Sequence, residues 1–86
     1  MIITKKFEKY TQKINDKPTL IILAKLVLDF QKATKWQDIS NIKSLVGFKN
    51  YYRVRLGDFR VGIEIQNDMV YFLVIAKRND IYYLFP

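Results

Sequence analysis

From Tyr51 onward the chain alternates apolar and polar residues as β-strands do, and Gly57-Asp58 and Asn67-Asp68 break that alternation as two-residue hairpin turns would. The pattern predicts an antiparallel meander of three strands. With both turns two residues long, Leu56 pairs with Phe59, Arg55 with Arg60, Arg53 with Gly62, Tyr51 with Glu64, Gln66 with Met69 and Ile65 with Val70. Successive side chains of a strand point to opposite faces. One face therefore carries Tyr52, Val54, Leu56, Phe59, Val61, Ile63, Ile65, Val70, Phe72, Val74 and Ala76, an apolar set for helices to cover. The other carries Tyr51, Arg53, Arg55, Arg60, Gly62, Glu64, Tyr71, Leu73, Ile75 and Lys77, and is the expected working surface.

The N-terminal half has a helical period. Met1 to Thr4 is short, apolar and β-branched enough for a first strand, and Thr4 can cap a helix whose apolar positions are Phe7, Tyr10 and Ile14. Pro18 fits the first turn of a second helix running to about Thr34, because a missing N–H does no harm there. Only Lys25, Asp29 and Lys32 form a polar stripe on that helix, so its apolar arc is wider than packing on one surface needs. It is expected to pack on the sheet and the first helix, with a partner-binding face as the alternative. Trp36 to Asn50 reads as a connection with one short helical turn.

A chain of 86 residues, half of them apolar and 15% aromatic, is one domain, 1–86, able to bury a core. There is no cysteine and no histidine, so disulfides, thiolate metal sites and His-based triads are excluded and no cofactor is expected. Apolar runs such as Leu20 to Ala24 are far short of a bilayer span, and the N-terminus lacks a signal-peptide pattern. A cytoplasmic protein with no membrane contact is the expectation. The net charge of +7 favours an anionic partner, nucleic acid or an acidic protein.

All four arginines lie between positions 53 and 78. In the expected register Arg55 sits across from Arg60, and like charges directly opposite on a sheet are destabilising. A phosphate is a natural counter-ion, since guanidinium presents planar donors suited to its oxygens. Gly62, opposite Arg53, leaves room on the sheet for a ligand or a long neighbouring side chain. Tyr51, Tyr71 and Tyr82 are available to stack on unpaired bases. Glu64 is a candidate base or an ion-pair partner of Arg53.

The run Tyr52-Arg53-Val54-Arg55-Leu56-Gly57-Asp58-Phe59-Arg60-Val61, followed by a strand and Ala76-Lys77-Arg78-Asn79-Asp80-Ile81-Tyr82, resembles the RelE/ParE superfamily of toxins from toxin–antitoxin systems. The resemblance implies a small α+β domain, with two N-terminal helices packed on one face of an antiparallel sheet. It implies a metal-independent endoribonuclease that cleaves messenger RNA, often on the ribosome, and a cognate acidic antitoxin that wraps it. By position, Arg53 and Arg55 fall where RelE-type toxins often carry lysines, Arg60 and Arg78 where they carry arginines that bind the scissile phosphate, and Tyr82 at the C-terminal tyrosine. Lys77, on the arginine face by strict alternation, is then the candidate proton acceptor or donor, in a position where many relatives have histidine. The alternatives are a ParE-like toxin that inhibits DNA gyrase by protein contact and an inactive protein of the same fold.

Overall fold

The computed structural model describes residues 1–85. Its register is set by two turns that need left-handed backbone. Gly57 has φ +62° at the first turn position only, the pattern of a type II′ turn, whereas Asn67 and Asp68 both take positive φ, 49° and 68°, as a type I′ turn requires. The elements in chain order are β1 (Ile2–Ile3), α1 (Lys5–Gln12), α2 (Lys17–Lys32), a 3₁₀ turn (Trp36–Asp38), β2 (Ile42–Ser44), β3 (Tyr51–Leu56), β4 (Phe59–Gln66), β5 (Met69–Lys77) and α3 (Ile81–Leu84). All six expected cross-strand pairs are present. The five strands are ordered β1-β5-β4-β3-β2, with β1 parallel to β5 and the remaining pairs antiparallel.

The first helix begins as its sequence dictates. Thr4 Oγ1 accepts the Phe7 N–H at 3.2 Å and donates to the Phe72 carbonyl at 2.7 Å, so one hydroxyl caps α1 and ties it to β5. The second helix starts at Lys17 with Pro18 in its first turn, and the buried Thr19 hydroxyl donates to the Asp16 carboxylate. Both helices lie on one face of the sheet. Phe7, Leu23, Leu26 and Phe30 pack there on Val54, Val61, Ile63, Phe72 and Ile75. Phe72 is the hub of this core: it is fully buried, and the rings of Phe7 and Phe30 meet it edge-on at 5.4 Å each. The wide apolar arc of α2 is only partly used, and Leu20, Ile21, Ile22 and Leu28 stay exposed. No helix among the described residues is long and apolar enough to cross a membrane.

Two expectations need correction. The segment Trp36 to Asn50 is more than a connection, because Ile42–Ser44 forms an edge strand that pairs Lys43 with Arg53. Strict alternation also fails in β5. Ile63 pairs with Phe72 but Gly62 pairs with Val74, so Leu73 is an extra residue and every later side chain of β5 changes face. Ile75 therefore joins the helix-side core, while Val74 and Ala76 move to the arginine side. Lys77 pairs with Phe59 and lies on the helix side, not with the arginines.

Because Phe72 holds the helices through two edge-on rings, Phe7→Ala should leave a cavity at the centre of the core. Its expected cost is about 3 to 5 kcal/mol of unfolding free energy, read from chemical denaturation against the parent chain.

Candidate functional site

On the sheet face away from α1 and α2 lies an open cavity of about 840 Å³. Its floor is β3 and β4, which contribute Arg53, Arg55 and Arg60; one wall is β2 with the loop after it, and the other is Tyr82 and Phe85 from the α3 segment. The register explains the convergence. Arg55 is directly across from Arg60, and Arg53 is across from Gly62 on one side and Lys43 on the other. Four cationic side chains thus line one cavity, and among the described residues its lining contains no carboxylate side chain.

Each arginine is held differently. Arg60 folds back on its own turn, with Nη1 donating to the carbonyls of Gly57 and Phe59 at 2.9 Å each. Among the described residues its Nε and Nη2 donors make no hydrogen bond, which leaves them for an anion. Arg53 is half-buried with its guanidinium carbon 4.9 Å from the centre of the Tyr82 ring, a cation–π contact worth about 0.5 to 1 kcal/mol where water reaches it. Arg55 is exposed. Arg78 follows β5, and its N–H bonds to the Asp58 carbonyl at 2.9 Å. That contact fixes it at the Gly57–Asp58 end of the sheet, the end that carries Arg55 and Arg60, although its exposed side chain does not line the cavity.

The wall that carries Tyr82 rests on the part of β5 beyond the bulge. Val74 and Ala76, turned to this side, give Ile81 and Phe85 a surface to bury against, and Leu45 completes this second cluster. The four-residue helix α3 would not persist by itself. Its position comes from those two anchors, one helical turn apart, which leave Tyr82 exposed between them. Phe85 lies flat over Gly62, and its ring meets Tyr51 edge-on at 5.4 Å. The space expected above Gly62 is therefore filled by a side chain of the protein and not by a ligand.

Of the residues singled out in the sequence, Arg53, Arg55, Arg60 and Tyr82 come together, Arg78 stands at the end of the sheet beside them, and Lys77 is on the far face. Tyr51 packs on Phe85, and Glu64, paired with Tyr51 and Tyr71, accepts a hydrogen bond from Gln66 at 2.6 Å. Lys43, Phe48 and Phe85 line the cavity without having been singled out. Lys43 sits in a strand too short to show a period, so its only sequence signal was a basic residue between Ile42 and Ser44. Among the described residues, no cluster of His, Cys, Asp or Glu is arranged to hold a metal ion.

No protein-family model matches the sequence. Over 62 residues the chain is 38% identical to the toxin RelE3 of Methanocaldococcus jannaschii, a match covering 71% of this chain and 70% of the relative. The toxin–antitoxin complex RelB–RelE from Methanococcus jannaschii contains a chain that superposes with a TM-score of 0.87 at 27% identity, each chain covered in full. The DinJ–YafQ complex of E. coli matches more distantly, with a TM-score of 0.60 at 14% identity over 99% of this chain and 96% of the other, which is a likeness of fold.

A Cβ placed at Gly62 would lie 2.7 Å from the Phe85 ring, closer than real contacts allow. Gly62→Ala should therefore lower stability by about 1 to 3 kcal/mol, the usual range for overpacking a core. Thermal unfolding of Gly62→Ala alone and combined with Phe85→Ala checks the cause, since the penalty should shrink once the ring is gone.

Proposed function

This chain belongs to the RelE family of toxins, and from that premise we propose that it is an endoribonuclease that cleaves messenger RNA on the ribosome, without a metal, and so stops translation. It is the toxin of a toxin–antitoxin system. What supports the nuclease reading is the convergence of Arg53, Arg55 and Arg60 with Lys43 and Tyr82 in one open cavity on the sheet face away from α1 and α2.

The reaction that suits this set is attack of a ribose 2′-OH on the adjacent phosphate, giving a cyclic phosphate and a free 5′-OH. Negative charge accumulates on the phosphorane oxygens, and preorganised guanidinium donors stabilise it more than the ground state. Arg60 is the best placed for this work, because its bonds to the turn fix it before substrate arrives. Arg78 approaches the same phosphate from the end of the sheet. Arginine is an extremely poor base, and Lys77 is turned away. We therefore assign proton donation to the leaving 5′-oxygen to the Lys43 ammonium, and the 2′-OH proton departs to water through the open rim. Tyr82 stacks on a base beside the scissile bond.

One observation favours a ParE-like toxin that inhibits gyrase by contact: among the described residues the cavity lining holds neither a histidine nor a carboxylate side chain to act as a strong base. For the partner, we propose an acidic antitoxin that covers the arginines and lays apolar side chains on α2 at Ile21, Ile22 and Leu28, which are exposed. The cytoplasm, where translating ribosomes are found, is the proposed place of action.

Arg78→Ala should melt like the parent yet cleave RNA about 100-fold more slowly or worse, the scale of losing one preorganised donor, with Arg78→Lys restoring part of the rate. Thermal melting and cleavage of ribosome-bound messenger, run on the same samples, measure both; a parent that leaves RNA intact but blocks gyrase supercoiling replaces the nuclease reading with the ParE-like one. Binding of RNA should weaken steeply with rising salt, because each phosphate contact releases condensed counterions. Ile21→Glu should weaken antitoxin binding about tenfold, or 1.4 kcal/mol, by titration calorimetry while leaving cleavage unchanged.

A further inference from the structure

The loop between β2 and β3 exposes two apolar side chains for which the fold has no use. Val46 is 96% exposed and Phe48 is 47% exposed. The loop is nevertheless well built. Leu45 N–H donates to the Tyr51 carbonyl at 3.0 Å, Phe48 N–H donates to the Leu45 carbonyl at 3.2 Å, and Gly47 and Asn50 take the positive φ values that close it. Leu45 anchors it in the cluster of Ile81 and Phe85, the residues that also hold Tyr82 in place. Phe48 is thus an exposed aromatic on an anchored support, which lowers the conformational cost of using it to bind.

Its location gives it a task. Phe48 comes from the loop after β2 and Tyr82 from α3, which packs on β5; both line the cavity with Arg53, Arg55 and Arg60, and the Tyr82 ring lies against Arg53. In-line attack by a 2′-OH requires the nucleotides on either side of the phosphate to leave helical stacking, so each flanking base loses a stacking partner. Two aromatic rings lining a phosphate-binding cavity replace both. We propose that Phe48 is a second base-stacking platform, on a different element from Tyr82, so that single-stranded RNA is held by its phosphate on the arginines and by one base on each ring. This inference rests on the reading of the cavity as an RNA site, and it requires no particular assignment of acid or base. The lysines that bracket the loop, Lys43 and Lys49, suit a polyanionic strand running past it.

The test uses short single-stranded RNAs blocked at the scissile 2′-OH by a methyl group and carrying 2-aminopurine on either the 5′ or the 3′ side of that position. Stacking on an aromatic ring quenches this base. With the parent chain, both positions should be quenched. Phe48→Ala should restore fluorescence at one position and weaken binding about 5- to 100-fold, whereas Tyr82→Ala should act at the other position. Phe48→Trp should keep both affinity and quenching. An abasic nucleotide at the Phe48-dependent position should weaken the parent by a similar factor and add little to Phe48→Ala, a comparison that needs no altered protein in its first arm. The inference is overturned if Phe48→Ala, with parental melting, leaves quenching and affinity unchanged, if both substitutions act on the same base, or if the parent binds no RNA. Loss of antitoxin affinity alone in Phe48→Ala would give the loop to the protein partner instead. A parent that binds and quenches as described but does not cut the unblocked RNA on ribosomes defeats the nuclease reading and leaves this one standing.

Discussion

One extra residue in β5, Leu73, is the constraint on which both sides of the sheet depend. Upstream of it Phe72 faces the helices and receives Phe7 and Phe30; downstream Val74 and Ala76 face the opposite way and receive Ile81 and Phe85. A regular strand would put Val74 and Ala76 under the helices and turn Ile75 to the arginine face. The bulge exchanges the residues that β5 gives to its two cores, sending Ile75 to the large one under the helices and Val74 and Ala76 to the small one that holds the wall carrying Tyr82. Bulges are recurrent devices for re-aiming side chains next to functional sites, and here the re-aimed residues are those beneath the site.

The floor of the cavity is arranged against its own stability. Arg55 and Arg60 are cross-strand partners, an arrangement worth some tenths of a kcal/mol against folding. The protein limits that repulsion locally: Arg60 is bonded to its turn and Arg53 lies against an aromatic ring. An anion placed between them removes the remainder. Concentrated like charge on a face the core could have left neutral is where local rules give way to binding.

Turn chemistry made the β3–β4–β5 register readable from the sequence, because Gly57-Asp58 and Asn67-Asp68 each specify a two-residue loop and the pairs then follow by counting. The arginine floor was legible for the same reason. Leu73-Val74-Ile75-Ala76 was not, since the apolar run from Met69 to Ala76 that contains it has no alternation to show on which residue the face changes. Lys77 was misplaced as a direct result, being separated from Arg60 by that run. The three residues of β2 are too few for a period, which hid Lys43. Gly62 signalled a close approach, but which group approaches is a matter of tertiary packing, and only the fold names Phe85.

The parallel pairing of Ile2 and Ile3 with Tyr71 and Phe72 has a kinetic meaning. It joins the first strand of the chain to the last across almost the whole described sequence, and α1 and α3 pack on that same last strand. Such contacts carry a high loop-closure cost and slow the search for the native state. During synthesis the N-terminal helices emerge first, but they meet Phe72 only after β5 has followed. Until then β3 and β4, which carry Arg53, Arg55 and Arg60, lack β5 beside them and the helices over them. The order of strands thus imposes a delay between translation of the arginines and the appearance of the complete cavity, whose Tyr82 and Phe85 wall is the last part to be made.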